Sequence, residues 1–340
     1  MKLQTPVTDL KCRVGISYSS KITMLGSCFS DNIGSMLADY GFDVLVNPFG
    51  TLYNPMSILH SIEMLLSDRM FTEDECVMMG AGADKICSFW HHTSFARKTK
   101  EEFLENANQK LIQARKHFLE SDRVIITLGT SWCYEYMDTG HVVSNCLKRP
   151  AEEFKRKRLS VIDINHALLS IMDQCDRKAG CSKKEFIFTV SPIRHFKDGA
   201  HGNQISKSAL LVAIDDILSM NEILGETSYE IKADYFPSYE IMMDELRDYR
   251  FYADDMAHPS TLAVEYIWER FSQTAFSVTT LEAIKRIENI EAAAKHRPFN
   301  PESDAHRAFC RKMLAECELL QRELPGVCLE EEKEYFKNYL

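Results

Sequence analysis

Two short stretches carry residues whose types and spacing suit acyl chemistry. The first, ITMLGSCFSDNIG at 22–34, sets Gly26, Ser27 and Cys28 directly behind an apolar run and ahead of helical spacing at Ile33, Met36 and Leu37. A strand that turns at Gly26 into a helix capped at Ser30 or Asp31 would put residues 27 and 28 at the positive end of a helix dipole, beside unpaired amides. That location lowers a thiol's pKa and supplies an oxyanion site, so Cys28 is the stronger nucleophile of the pair. The second stretch is YADDMAHPS at 252–260. Asp255 precedes His258 by three residues, a spacing at which the carboxylate can hold Nδ1–H and fix the tautomer of a general base. Pro259 keeps His258 extended and can open the next helix.

Further polar stretches follow other apolar runs: NPFGTLYNP (47–55), GTSWCYE (129–135) and SPIRHFKDGAHGN (191–203). Arg194 and His195 could hold a substrate carboxylate or phosphate, the guanidinium fork matching a planar anion; pairing of Arg194 with local acids is the alternative. His195, Asp198 and His201 form a weak metal-ligand set, and no metal is expected. His91 and His92, after Trp90, read as a structural or rim pair.

The elements that must position these groups are legible in the periodicity. Candidate strands are 22–25, 43–46, 123–128, 186–190 and 228–232, with helical stripes after Ile33, over 103–118, over 160–178 and over 204–224. Alternation of strand and helix predicts an α/β fold, a three-layer α/β/α sandwich on a mostly parallel sheet, with ligands beyond the carboxyl ends of the strands. From residue 281 two charged helical patterns flank RPFNPESD, which divides the chain into a domain at 1–280 and a C-terminal helical appendage at 281–340 that could pack on the domain or on a second subunit. The basic run KRPAEEFKRKR at 148–158 reads as a solvated loop and helix start.

The totals bound the function. A chain of 340 residues, 45% apolar and 26% charged with 14 Gly and 10 Pro, can bury a large core. A net charge of −10 argues against a nucleic-acid partner. The opening residues lack an apolar signal core and no run reaches the length of a membrane span, so a cytoplasmic location and no membrane partner are expected. The 11 cysteines form no CxxC pair and read mostly as reduced, buried space-fillers.

The ordered blocks GSCFS, NPFGTLYNP, LGTSWCYE, SPIRHFKDG and DDMAHPS resemble those of the GSCFA-domain proteins, which belong with the SGNH or GDSL-like hydrolases, over roughly residues 20–275. The resemblance implies the flavodoxin-like sandwich of those enzymes and an acyl esterase, acyl hydrolase or acyltransferase without a cofactor. Its substrate would be an ester of a carbohydrate or another small molecule. It implies Cys28 as nucleophile, His258 as base and Asp255 as orienter. Ser27 stands where those enzymes carry an aspartate, and Gly50 where a backbone N–H joins that of Cys28 at the oxyanion.

The third block departs from the pattern: Gly129, Thr130, Ser131 and Trp132 occupy the place of a motif with an asparagine donor. Its loss removes on the order of 3 kcal/mol of transition-state stabilisation unless Ser131, Thr130 or the amide of Asn54 replaces it. A site that binds without turnover is the competing expectation, and metal-dependent hydrolysis at His195, Asp198 and His201 a weaker one.

Overall fold

A computed structural model describes residues 5–8, 10, 12–224 and 232–340. In chain order the elements begin with β1 (Lys21–Gly26), α1 (Cys28–Asp39), β2 (Asp43–Val46) and α2 (Pro55–Leu66), then a small hairpin of β3 (Val77–Met78) and β4 (Ile86–Cys87). Next come α3 (Lys100–Glu120), β5 (Arg123–Leu128), β6 (Trp132–Tyr136), β7 (Val142–Val143), β8 (Phe154–Arg158), α4 (Val161–Arg177), β9 (Glu185–Val190) and α5 (Gly199–Leu224). The chain closes with β10 (Ala233–Phe236), a single turn α6 (Ser238–Glu240), α7 (Thr261–Ala275), α8 (Val278–Lys295), α9 (Asp304–Glu323) and α10 (Glu330–Lys337).

The central sheet is parallel throughout, in the order β10-β9-β5-β1-β2. Alternation along each strand divides its side chains between two cores. Val124, Ile126, Phe186 and Phe188 face α2 to α5, against Ile62, Phe103, Ile164 and Leu210. Ile22, Met24, Ile125 and Ile187 face the other way, onto Phe29 and Leu37 of α1 and Ile267 and Phe271 of α7. This is the three-layer α/β/α sandwich expected from the pattern. The C-terminal helices extend the second core, with Ile287, Cys310, Leu320 and Phe336 buried in it.

The four strands expected from 22 to 190 are present; β1 is longer by a residue at each end and β9 by one at its start. Residues 228–231 of the fifth lie outside the described residues; β10 starts just beyond, at Ala233. The basic run at 148–158 is not a helix start. A short 3₁₀ turn leads into β8, an outer strand of the small antiparallel sheet β7-β6-β8. Its Arg156 turns inward, stacking its guanidinium over Trp132 and Tyr134 and pairing with Asp198, while Lys155 and Lys157 stay in solvent. Strand alternation on a half-buried ribbon outweighs the charge run there.

All eleven cysteines are free; five of them, Cys87, Cys133, Cys175, Cys310 and Cys317, are buried, fewer than the composition suggested. Among the described residues no helix is long and apolar enough to cross a membrane.

Candidate functional site

In the sheet order β1 sits between β2 and β5, and connections leave those neighbours in opposite directions. This is the switch point of a parallel sheet, the place beyond the strand ends where such sheets bind ligands. Gly26 makes the turn out of β1 with φ +143°, and a Cβ there would lie 2.2 Å from the Thr127 carbonyl oxygen. Ser27 N–H donates to that same carbonyl at 3.1 Å, locking the turn to the neighbouring strand.

Helix α1 begins earlier than expected. Ser27 is its N-cap, its hydroxyl accepting from Phe29 N–H, and it is fully buried. Ser30 and Asp31 cannot cap because both are held sideways inside the first turn. Ser30 donates to Thr127 Oγ1 at 2.8 Å, and Asp31 accepts from Asn47 Nδ2 at 2.7 Å. Ser27 is therefore a structural residue, and Cys28 is the first helical residue, half-buried at the dipole's positive end.

The thiol departs from the expectation of a lowered pKa. Burial, reinforced by the Asp31 carboxylate, pushes it up; the amides of Cys28 and Phe29 and the charge of Lys207 pull the other way without prevailing. Desolvation of a thiolate outweighs a helix terminus when an acid sits within the first turn. The Cys28 side chain is therefore held as a thiol.

His258 and Asp255 form the expected pair. Asp255 Oδ2 lies 2.5 Å from His258 Nδ1, while Oδ1 accepts the backbone N–H groups of Ala257 and His258, both at 2.9 Å. Those three bonds hold the carboxyl at a pKa of about 2, so it stays ionised. The ionised carboxylate accepts a hydrogen bond from Nδ1–H, and Nε2, with no hydrogen bond among the described residues, keeps the free lone pair. Half of the histidine side chain is exposed.

Arg194 and His195 follow β9 and reach the same region. Arg194 N–H donates to Ala257 O at 3.2 Å, joining this loop to the one that carries His258. His195 N–H donates to Asn203, and its ring meets Tyr53 edge-on at 5.9 Å. Burial, with the nearby charges of Lys207, His258 and Arg156, lowers its pKa to about 4. It is a neutral imidazole whose Nε2 is buried without a partner. Arg156 takes Asp198, and no group of three metal-ligating side chains occurs among the described residues, so the His195, Asp198 and His201 set is not assembled.

The other expected donors are already engaged. Gly50 N–H closes a turn onto Asn47 O at 2.7 Å; φ is +83°, and a Cβ would strike the His92 Cβ. Gly129 and Thr130 N–H both donate to Tyr53 O at 2.9 Å. Ser131 is fully buried, and its amide and hydroxyl both reach Ser206 Oγ. Asn54 caps α2 through Ser57. Thus Gly50, Ser131 and Asn54 hold the loops at the strand ends, and of the expected oxyanion donors only the Cys28 amide is not committed to another residue among the described residues, its interaction being with its own thiol. His91 is a core residue among Phe49, Phe71 and Phe95, hydrogen-bonded to Ser88.

Two residues central to the site were not assigned a role from the sequence, although Asn47 opens the stretch NPFGTLYNP. Asn47, at φ 42°, receives Gly26 N–H on Oδ1 and donates to Asp31, tying the ends of β1, β2 and α1 together. Lys207, inside α5, is completely buried, and its Nζ donates to Gly129 O and Ser191 O at 2.7 Å each. It thereby clamps the carboxyl ends of β5 and β9 beside the crevice. Burial and the Arg194 charge drop its pKa to about 7, while Cys28 opposes the drop. A lysine inside a helical pattern reads as solvated, and only the break in the apolar stripe at 207 could have marked it.

Comparison with curated proteins and with solved structures finds no significant match. The GSCFA family model matches residues 21–271, and the model for the GSCFA domain protein C-terminal domain matches residues 287–340. The strand-turn-helix at Gly26–Cys28 and the Asp255–His258 pair both fall inside the first match, and the chain belongs to the GSCFA family.

Proposed function

We propose that the protein is an SGNH-like acyl hydrolase or acyltransferase that forms a thioester on Cys28, with an ester of a carbohydrate or similar small molecule as acyl donor. The observation that carries the reading is the Asp255–His258 pair, an ionised carboxylate on Nδ1 that leaves Nε2 as base. The Cys28 sulfur adds to the ester carbonyl as its proton passes to His258 Nε2. The tetrahedral oxyanion forms near the Cys28 amide and the first turn of α1. Collapse expels the alcohol, which takes the proton from His258. Water or an acceptor hydroxyl, deprotonated by His258, then releases the acyl group and restores the thiol.

The engaged state of the Gly50 and Ser131 amides favours a second reading, a crevice that binds its ligand without turnover. Incubation with p-nitrophenyl acetate followed by intact-mass and peptide mapping separates the two. The catalytic reading expects one acetyl group on Cys28, absent in Cys28→Ala and strongly slowed in His258→Ala. A protein that stays unacetylated, or acetylates equally in Cys28→Ala, supports the binding reading.

A further inference from the structure

Beside the His258 loop lies a cavity of about 330 Å³ that the nucleophile and base leave unused. Met242, Met243, Leu246, Tyr249 and Tyr252 supply an apolar and aromatic wall, and Met256, at φ 57° two residues before His258, forms part of the lining. Arg194 and Phe196 line it from the β9 side, the guanidinium stacked 5.1 Å from the Phe196 ring.

The charge of Arg194 is uncompensated by an acid. Among the described residues it has no carboxylate partner; Nη1 only touches the Met243 sulfur at 3.8 Å, and Nε is buried with no acceptor. The other charged groups of the cavity are satisfied. Arg247 pairs with Asp244 at 2.8 Å, and Asp248 accepts Arg250 N–H and faces its guanidinium at 3.5 Å. A desolvated guanidinium edge without an acceptor costs free energy that a bound anion returns. Its planar fork fits a carboxylate.

We propose that this cavity binds a small carboxylic acid with an apolar or aromatic body, the carboxylate on Arg194 and the body against Met243, Tyr249 and Tyr252. Its position next to the His258 loop makes it the place for a carboxylate-bearing part of the substrate, an assignment that rests on the acyl-transfer reading; binding itself does not.

Titration calorimetry with phenylacetate and with the uncharged phenylacetamide tests it. Phenylacetate is expected to bind roughly tenfold more tightly or better, a gap of about 1.4 kcal/mol. Arg194→Met should erase the gap while leaving phenylacetamide binding unchanged, and Arg194→Lys should restore part of it. Cys28→Ala should bind phenylacetate like the natural protein, so a failed acetylation experiment leaves this result standing. Equal affinity for the two probes, a gap that survives in a folded Arg194→Met protein, or no binding at millimolar concentration would overturn the proposal.

Discussion

Asp255 makes three bonds with two oxygens, and the division of labour between them decides what a substitution does. Oδ1 holds the backbone of Ala257 and His258, while Oδ2 alone addresses the imidazole. In Asp255→Asn the side-chain carbonyl can keep both backbone amides, so the loop stays in place. The amide nitrogen would then donate to Nδ1, which forces the ring proton onto Nε2 and, in the proposed acyl-transfer reaction, removes the base. Acetylation of Cys28 should fall on the order of 100-fold or more, with the melting temperature little changed. An Asp255→Asn protein that acetylates at the natural rate would exclude His258 Nε2 as the proton acceptor. The requirement is sharper because the Cys28 thiol is held protonated by burial and Asp31. A preformed thiolate would tolerate loss of the base; a buried thiol does not.

At the scale of elements the site depends on a backbone contact, not on a side chain. Gly26 must pass so close to β5 that any Cβ meets the Thr127 carbonyl at 2.2 Å, in a φ region that side chains avoid. Gly26→Ala should cost about 3 kcal/mol or more and drag the Ser27 cap and Cys28 out of register. Urea unfolding would show it, and a variant within about 0.5 kcal/mol of the natural protein would mean the turn can relax. The strands at 22–25, 43–46, 123–128 and 186–190 were legible because each is a short apolar run bounded by turn residues, and their order implied the crevice. The Asp255–His258 spacing was legible for the same local reason. Local pattern could not reveal which amides the fold consumes. Gly50 closes onto Asn47 within a turn, but Gly129 and Thr130 are spent on Tyr53, 76 and 77 positions away in the chain, and Ser131 on Ser206. Lys207 escaped notice because its partners, Gly129 O and Ser191 O, come together only when β5 and β9 pair. Arg156 misled because a charge run and the edge of a half-buried ribbon share one composition.

Burial biases four imidazoles towards the neutral form, His117 among them with Asp43 opposing the shift, and this shapes the response of the whole molecule to acid. Burial, aided by neighbouring cations, lowers His60 to about 4, His91 to about 3 and His195 to about 4. His60 stacks on Trp90, His91 sits among phenylalanines, and each has an Nε2 without a partner. Below the unfolded value of about 6.5 the unfolded chain binds protons that the folded state refuses, so these groups withdraw stability as pH falls from 6.5 towards 4. Glu332 works in the opposite direction. Burial and the adjoining Glu291 raise its pKa to about 7, so the folded state takes up that proton first and gains stability through the upper part of the same window. The overall pH curve therefore mixes opposed contributions, and the difference between two proteins isolates one of them. His60→Phe keeps the stack on Trp90 and removes a titrating group. Its urea midpoint should fall less steeply than that of the natural protein between pH 6.5 and 4.5, the two diverging as the medium becomes more acid. Parallel curves across that range would mean His60 is protonated in the folded state, which the unpaired Nε2 beside an indole could not support without opening α2 to water.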